Sequence, residues 1–162
     1  MKSSKKMMIL AAGLGLVALL ASSCATGTAA AKTPPYTAQN QQFQIAAVPL
    51  LVHEAAGQYD YLQKAFAKHG LLDGHEIWGF SQTHLVVYQY DSVDVSLLNV
   101  GDDPHTFTIN ELAVNVQMRP QSSTKADFVA LKVGTYKFFC SIAEHAPWMS
   151  GTITVLPDAV AH

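Results

Sequence analysis

The spacing of hydrophobic positions changes several times along this chain. Residues 7–20 form a nearly unbroken apolar run, preceded by Lys2, Lys5 and Lys6 and followed by Ala21, Ser22 and Ser23. A basic lead, a short apolar stretch and small residues make an export signal, too short and wrongly flanked for a stable membrane span. Residues 1–24 are therefore expected to be a signal peptide or a lipoprotein signal. Residues 25–42 are rich in Ala, Thr, Gln and Pro and lack an apolar period, which predicts a flexible tether. From 49 to 72, Val52, Ala55, Ala56, Tyr59, Leu62, Ala65 and Leu71 recur at steps of three and four. That spacing predicts a helix, weakened at Gly57 and stopped at Gly70, and places a helical extension over 43–74.

After Gly74 the texture becomes that of short strands. The segments 76–80, 84–90, 93–100, 105–110, 113–118, 128–131, 135–140 and 151–156 are dense in β-branched and aromatic residues. Within 93–98, Val93, Val95 and Leu97 alternate with Asp94, Ser96 and Leu98, so one face is buried and the other wetter. Turn residues separate the strands at 101–104, 119–120 and 133–134. Many short strands with no alternating helices predict an all-β sandwich or barrel over 75–157, with 158–162 as a C-terminal tail.

Charge narrows the partners. The formal net charge is −2. Without Lys2, Lys5 and Lys6, seven basic residues face twelve acidic ones, a balance that argues against nucleic acid or an anionic membrane surface as partner. The small residues before Cys24 resemble a lipoprotein box, although Leu20 sits one step too early and Ala21 takes its place. Cleavage within 24–31 is the competing reading. A lipid anchor would consume Cys24, so pairing with Cys140, the other cysteine, is not expected.

The chemistry concentrates in 136–155. A strand ends in Cys140, a short loop carries His145 and Met149, and a second strand begins at Gly151-Thr152. His105 follows the turn ending in Pro104. Taken singly, each has a plainer reading: a buried thiol, a core methionine, a histidine at a strand start. Together they supply one thiolate, two imidazoles and one thioether. Soft sulfur with imidazole selects copper, and a His₂Cys plane with a weak axial Met is the geometry of electron-transfer copper sites. His53, His69, His75 and His84 lie on or near the helical segment and are expected to be surface residues. His162 is the last residue.

The Cys-x₄-His-x₃-Met loop, the aromatic strand before it, Gly-Thr-Ile-Thr after it, and Asp103-Pro104-His105-Thr106-Phe107 upstream resemble the cupredoxins, in loop length the azurin-like members. The resemblance covers 76–157. It implies an eight-stranded Greek-key β-sandwich, here with an N-terminal helical extension. It also implies one type 1 copper ion, Cu(I)/Cu(II), with His105 and His145 as nitrogen ligands, Cys140 as thiolate and Met149 as axial ligand. The run 134–140 is also similar to the copper domain of cytochrome oxidase subunit II, but no second cysteine lies between Cys140 and His145, which excludes that dinuclear site. Thr106 stands where the family commonly has Asn, which puts the usual pinning hydrogen bond in question.

The expected function is a monomeric electron carrier, exported to the periplasm, with membrane contact only through a lipid anchor at Cys24. Its protein redox partners would be a c-type cytochrome or a terminal oxidase or reductase. Ala146, Pro147 and Trp148 would shield the metal and offer a small apolar patch beside His145, and Glu144 would favour a cationic partner. A copper-delivery module for oxidase assembly is the alternative. An enzyme with an open copper position is a third reading, kept alive only by Glu111. The helical extension would cover a sheet edge or serve as a docking element.

Overall fold

Alternation along β4 (Ser92–Asn99) sets the frame: Val93, Val95, Leu97 and Asn99 face inward, while Ser92 and Ser96 face water. A period of two places one side of a strand against a core and wets the other. This computed structural model describes residues 36–158, in which nine strands form two sheets. One sheet has the order β2-β1-β4-β7, from β1 (Asn40–Leu51), β2 (Ile77–Phe80), β4 and β7 (Ser122–Val129). The other has the order β3-β9-β8-β5-β6, from β3 (His84–Tyr88), β5 (His105–Ile109), β6 (Val114–Met118), β8 (Gly134–Phe139) and β9 (Ser150–Leu156). β1 pairs with β4 and β3 with β9 in parallel, and the remaining pairs are antiparallel. The described domain is an all-β Greek-key sandwich.

The core lies between the sheets. Phe80 from the first sheet meets Phe107 and Phe138 from the second at ring separations of 6.0 and 5.4 Å. Gly151 is required at the start of β9, because a Cβ there would overlap the Phe138 ring. At the pole formed by the end of β3 and the start of β4, the fully buried Asp91 accepts four hydrogen bonds. They come from the Tyr36 hydroxyl (2.5 Å), the Gln39 N–H (2.8 Å), the Tyr88 N–H (3.0 Å) and Gln41 Nε2 (3.1 Å). Asp91 therefore fastens residues 36–41 to the β3–β4 turn.

The structure corrects the expected boundaries at the N-terminal side. Residues 43–51 are not helical: they belong to β1, which also takes 40–42 from the expected tether. Phe43, Ile45 and Ala47 point inward while Gln42 and Gln44 point out, so the strand period is present but spelled with Gln and Ala, residues of weak strand preference. Pro49 sits at an irregularity in the β1–β2 register, where its missing N–H is tolerated. The helix is shorter than its pattern, split into α1 (His53–Ala56) and α2 (Asp60–Phe66) with Gly57 between them. Leu62, Phe66 and Leu72 form a small core of their own against Leu51 and Ile77. The strand expected at 128–131 is β7, displaced toward the N-terminus, with Leu131 exposed beyond its end. The expectations for residues 1–24, 25–35 and 159–162, His162 among them, fall outside the described residues.

Candidate metal centre

Strand register brings the distant donors together. β5 and β8 are antiparallel neighbours with Thr108 opposite Phe139. His105, at the start of β5, therefore lies beside the end of β8, where Cys140 follows. The loop 140–149 is closed by its own backbone: the Cys140 N–H donates to the Met149 carbonyl at 2.9 Å. Inside it, the Ala146 N–H donates to Ile142 O at 2.9 Å and the Met149 N–H to His145 O at 2.9 Å, two consecutive tight turns that carry His145 inward.

His105, Cys140 and His145 are all buried, and their donor atoms lie within 4.8 Å of one another. Nδ1 of His105 faces Nδ1 of His145 at 3.1 Å, and Sγ of Cys140 is 3.9 Å from the latter. Met149 is completely buried in the same core cluster as Cys140. Among the described residues this is the one convergence of three such donors. His53, His69, His75 and His84 are exposed, and Glu111 lies beyond the far end of β5.

Two imidazole nitrogens facing at that distance repel as two cations and clash as two N–H donors. They hold one proton or one cation between them. Burial, and then the charge on His145, pushes His105 down to about 4 from the usual 6.5, so at neutral pH its nitrogen is free to act as a ligand. Two imidazoles beside a cysteine sulfur, with no carboxylate in the cluster, match the donor preference of copper.

Several supports could not be read from the motif. The Thr106 N–H donates to Cys140 Sγ at 3.4 Å, and its hydroxyl oxygen accepts the Ser141 N–H at 2.7 Å. The residue following the first histidine thus pins the cysteine loop although it is Thr. Asn99, buried, donates to the carbonyls of Asp103 (2.7 Å) and Met118 (3.1 Å) and accepts the Gly101 N–H (3.0 Å), which fixes the turn that delivers His105. Trp78 packs its ring on His105 at 4.7 Å and lies 6.4 Å from His145. A Cβ at residue 101 would overlap the Trp78 indole, so Gly101 is what lets the ring lie there. Neither Trp78 nor Asn99 belongs to a local spacing. Their roles appear only when the sheets are stacked.

Residues 77–155 match the family model of the cupredoxin-like domain. The chain carries a cupredoxin domain. Three solved structures are similar to it: a copper nitrite reductase from Nitrosomonas europaea (TM-score 0.52, 18% identity, covering 75% of this chain and 43% of that one), the multicopper oxidase mgLAC (0.52, 18%, 74% and 39%) and a blue copper oxidase from Nitrosomonas europaea (0.51, 17%, 73% and 39%). The chain spans about two fifths of the length of these proteins, and at such identities the likeness is one of fold. No curated protein matches the chain in sequence. The cupredoxin fold and the donor set together support copper binding.

Proposed function

We propose that this cupredoxin carries single electrons between protein partners outside the cytoplasm. It would use one type 1 copper held by His105, Cys140 and His145, with Met149 as the weak axial ligand. The observation that carries the reading is the convergence of two imidazole nitrogens and one thiol sulfur, all buried, within 4.8 Å. Copper bound there supplies a one-electron couple between Cu(I) and Cu(II).

The chain's own residues suit that task in three ways. Each donor sits at the end of a strand or in a loop closed by backbone hydrogen bonds, so the ligands move little when the charge changes. The Thr106 N–H points at the cysteine sulfur and would hold it in place as a ligand. Full burial of Met149 and Cys140 excludes solvent from the site, which favours electron transfer over substrate binding at the metal. His145, 6% exposed, lines a surface depression and offers the route by which electrons enter and leave.

The optical spectrum of the copper-loaded protein tests this reading. An intense visible thiolate-to-copper band is expected, and it should vanish in Cys140→Ala. A variant that kept the band would refute the ligand assignment. Rapid, complete transfer of copper to a metal-free oxidase domain would replace the carrier reading with copper delivery.

A further inference from the structure

The insertion between β1 and β2 does not merely cover a sheet edge. Its last turn is tied down from two sides: His53 Nε2 contacts the Gly74 carbonyl at 3.1 Å, and the His53 N–H donates to Glu76 Oε1 at 2.7 Å. The His69 N–H donates to Asp73 Oδ1 at 2.7 Å, and the Leu72 N–H to Ala65 O at 2.9 Å. So held, residues 71–76 stand beside the loop 140–149. Together they enclose a depression of about 380 Å³ with His145 in its lining and Asp73, Glu76, Asp103 and Glu144 around it. An adjoining apolar cleft of about 310 Å³ runs between Leu71 and Trp148. Those two side chains are 91% and 54% exposed. No lysine or arginine lines either depression.

We infer that residues 71–76 are a partner-selecting element that, with Glu144 and Trp148, docks a cationic redox protein over His145. This rests on the carrier reading above. The chemistry is that of an apolar contact ringed by one sign of charge. Leu71 and Trp148 supply area that gains from being covered, and the carboxylates steer and orient a lysine- or arginine-ringed partner. The described domain carries all twelve acidic residues of the chain and six basic ones, and four of those acids surround the one ligand that reaches the surface depression. Arg119 lies on the other side of the centre, in the groove beside His105 and Ser141, which no acidic residue lines. An anionic protein would meet repulsion where the electron must cross.

The test uses the copper-loaded protein, a lysine-rich mitochondrial cytochrome c as cationic probe, and hexacyanoferrate as anionic probe. Each reaction exchanges one electron: Cu(I) becomes Cu(II) as Fe(III) becomes Fe(II). In Asp73→Asn/Glu144→Gln, the bimolecular rate with the cytochrome is expected to fall about tenfold at low salt, with a flatter dependence on ionic strength, while the rate with hexacyanoferrate rises. Leu71→Ala, at a fully exposed position, should weaken cytochrome binding severalfold at any salt concentration. Calorimetric titration of the metal-free protein with the cytochrome should rank the variants in the same order, independently of copper. The visible spectrum should be unchanged in all of them. Equal rates and affinities for wild type and variants would overturn the docking assignment while leaving the carrier intact. Absence of electron exchange with both probes would instead defeat the carrier reading.

Discussion

The indole of Trp78 lies against the imidazole of His105, with ring centroids 4.7 Å apart and planes inclined by 55°. His105 Nε2 is buried without a hydrogen-bond partner among the described residues, so on that side of the ring packing against Trp78 takes the place of a hydrogen bond. Histidines that ligate metals are usually oriented by a hydrogen bond from the other ring nitrogen. Here an aromatic face from the opposite sheet does that work.

This makes Trp78 a positioning residue with a measurable signature. Trp78→Ala should cost about 3–5 kcal/mol in stability, as expected for a large aromatic removed from a core. It should also broaden or shift the visible copper band, because His105 gains freedom. Gly101→Ala, which drives a methyl into the same indole, should cost about 1–3 kcal/mol and shift the band without removing any ligand. Denaturant titration and optical spectra check both. A spectrum unmoved in either variant would reduce Trp78 to ordinary core filling.

Thr106 is the second support to test. Its N–H reaches Cys140 Sγ, and its hydroxyl is shared between Ser141 N, Ser141 Oγ and Thr108 Oγ1 at 2.7, 3.0 and 3.2 Å. Thr106→Val keeps the backbone contact to sulfur and removes the acceptor for Ser141. The colour should persist, and copper retention against a chelator should fall about tenfold, the usual scale for losing a ligand's support. Thr106→Asn, with a side-chain carbonyl that can accept the Ser141 N–H, should recover most of the loss.

The sequence carried the donor set because its members are local: Cys140, His145 and Met149 share one loop, and His105 opens a strand behind a Pro turn. It concealed β1 because Gln and Ala spell a strand weakly and because the apolar spacing from Val52 onward is truly helical but interrupted at Gly57. The roles of Trp78 and Asn99 were illegible for a different reason. Each depends on which sheet or turn lies across from it, and no local period encodes that.

Asp91 governs acid stability. Burial raises its pKa, but the hydrogen bonds from Gln39, Tyr36, Tyr88 and Gln41 lower it by more, so the carboxyl lies below its ordinary 3.8. A depressed carboxyl stabilises the fold fully above its unfolded value, and this contribution disappears as pH falls through the folded value. Stability should therefore drop below about pH 4, and Asp91→Asn should remove that dependence while destabilising the protein at neutral pH by about 2–4 kcal/mol. Denaturation midpoints between pH 3 and pH 7 decide the matter. An unchanged acid limb in the variant would shift the dependence to other groups.

His105 acts over a higher window in the metal-free protein. Its folded value of about 4 lies below the unfolded 6.5, so between the two the unfolded chain binds the extra proton. Stability is then full above about 6.5, declines as pH falls, and stops declining near 4, where the folded protein also protonates. The span corresponds to on the order of 3 kcal/mol. His105→Gln should flatten this segment and leave the Asp91 limb below it intact. The two groups thus occupy adjoining pH ranges and opposite poles of the sandwich, which lets one titration series separate them. A metal-free wild type whose stability stayed level from pH 6.5 down to 4 would contradict the burial and charge that the structure assigns to His105.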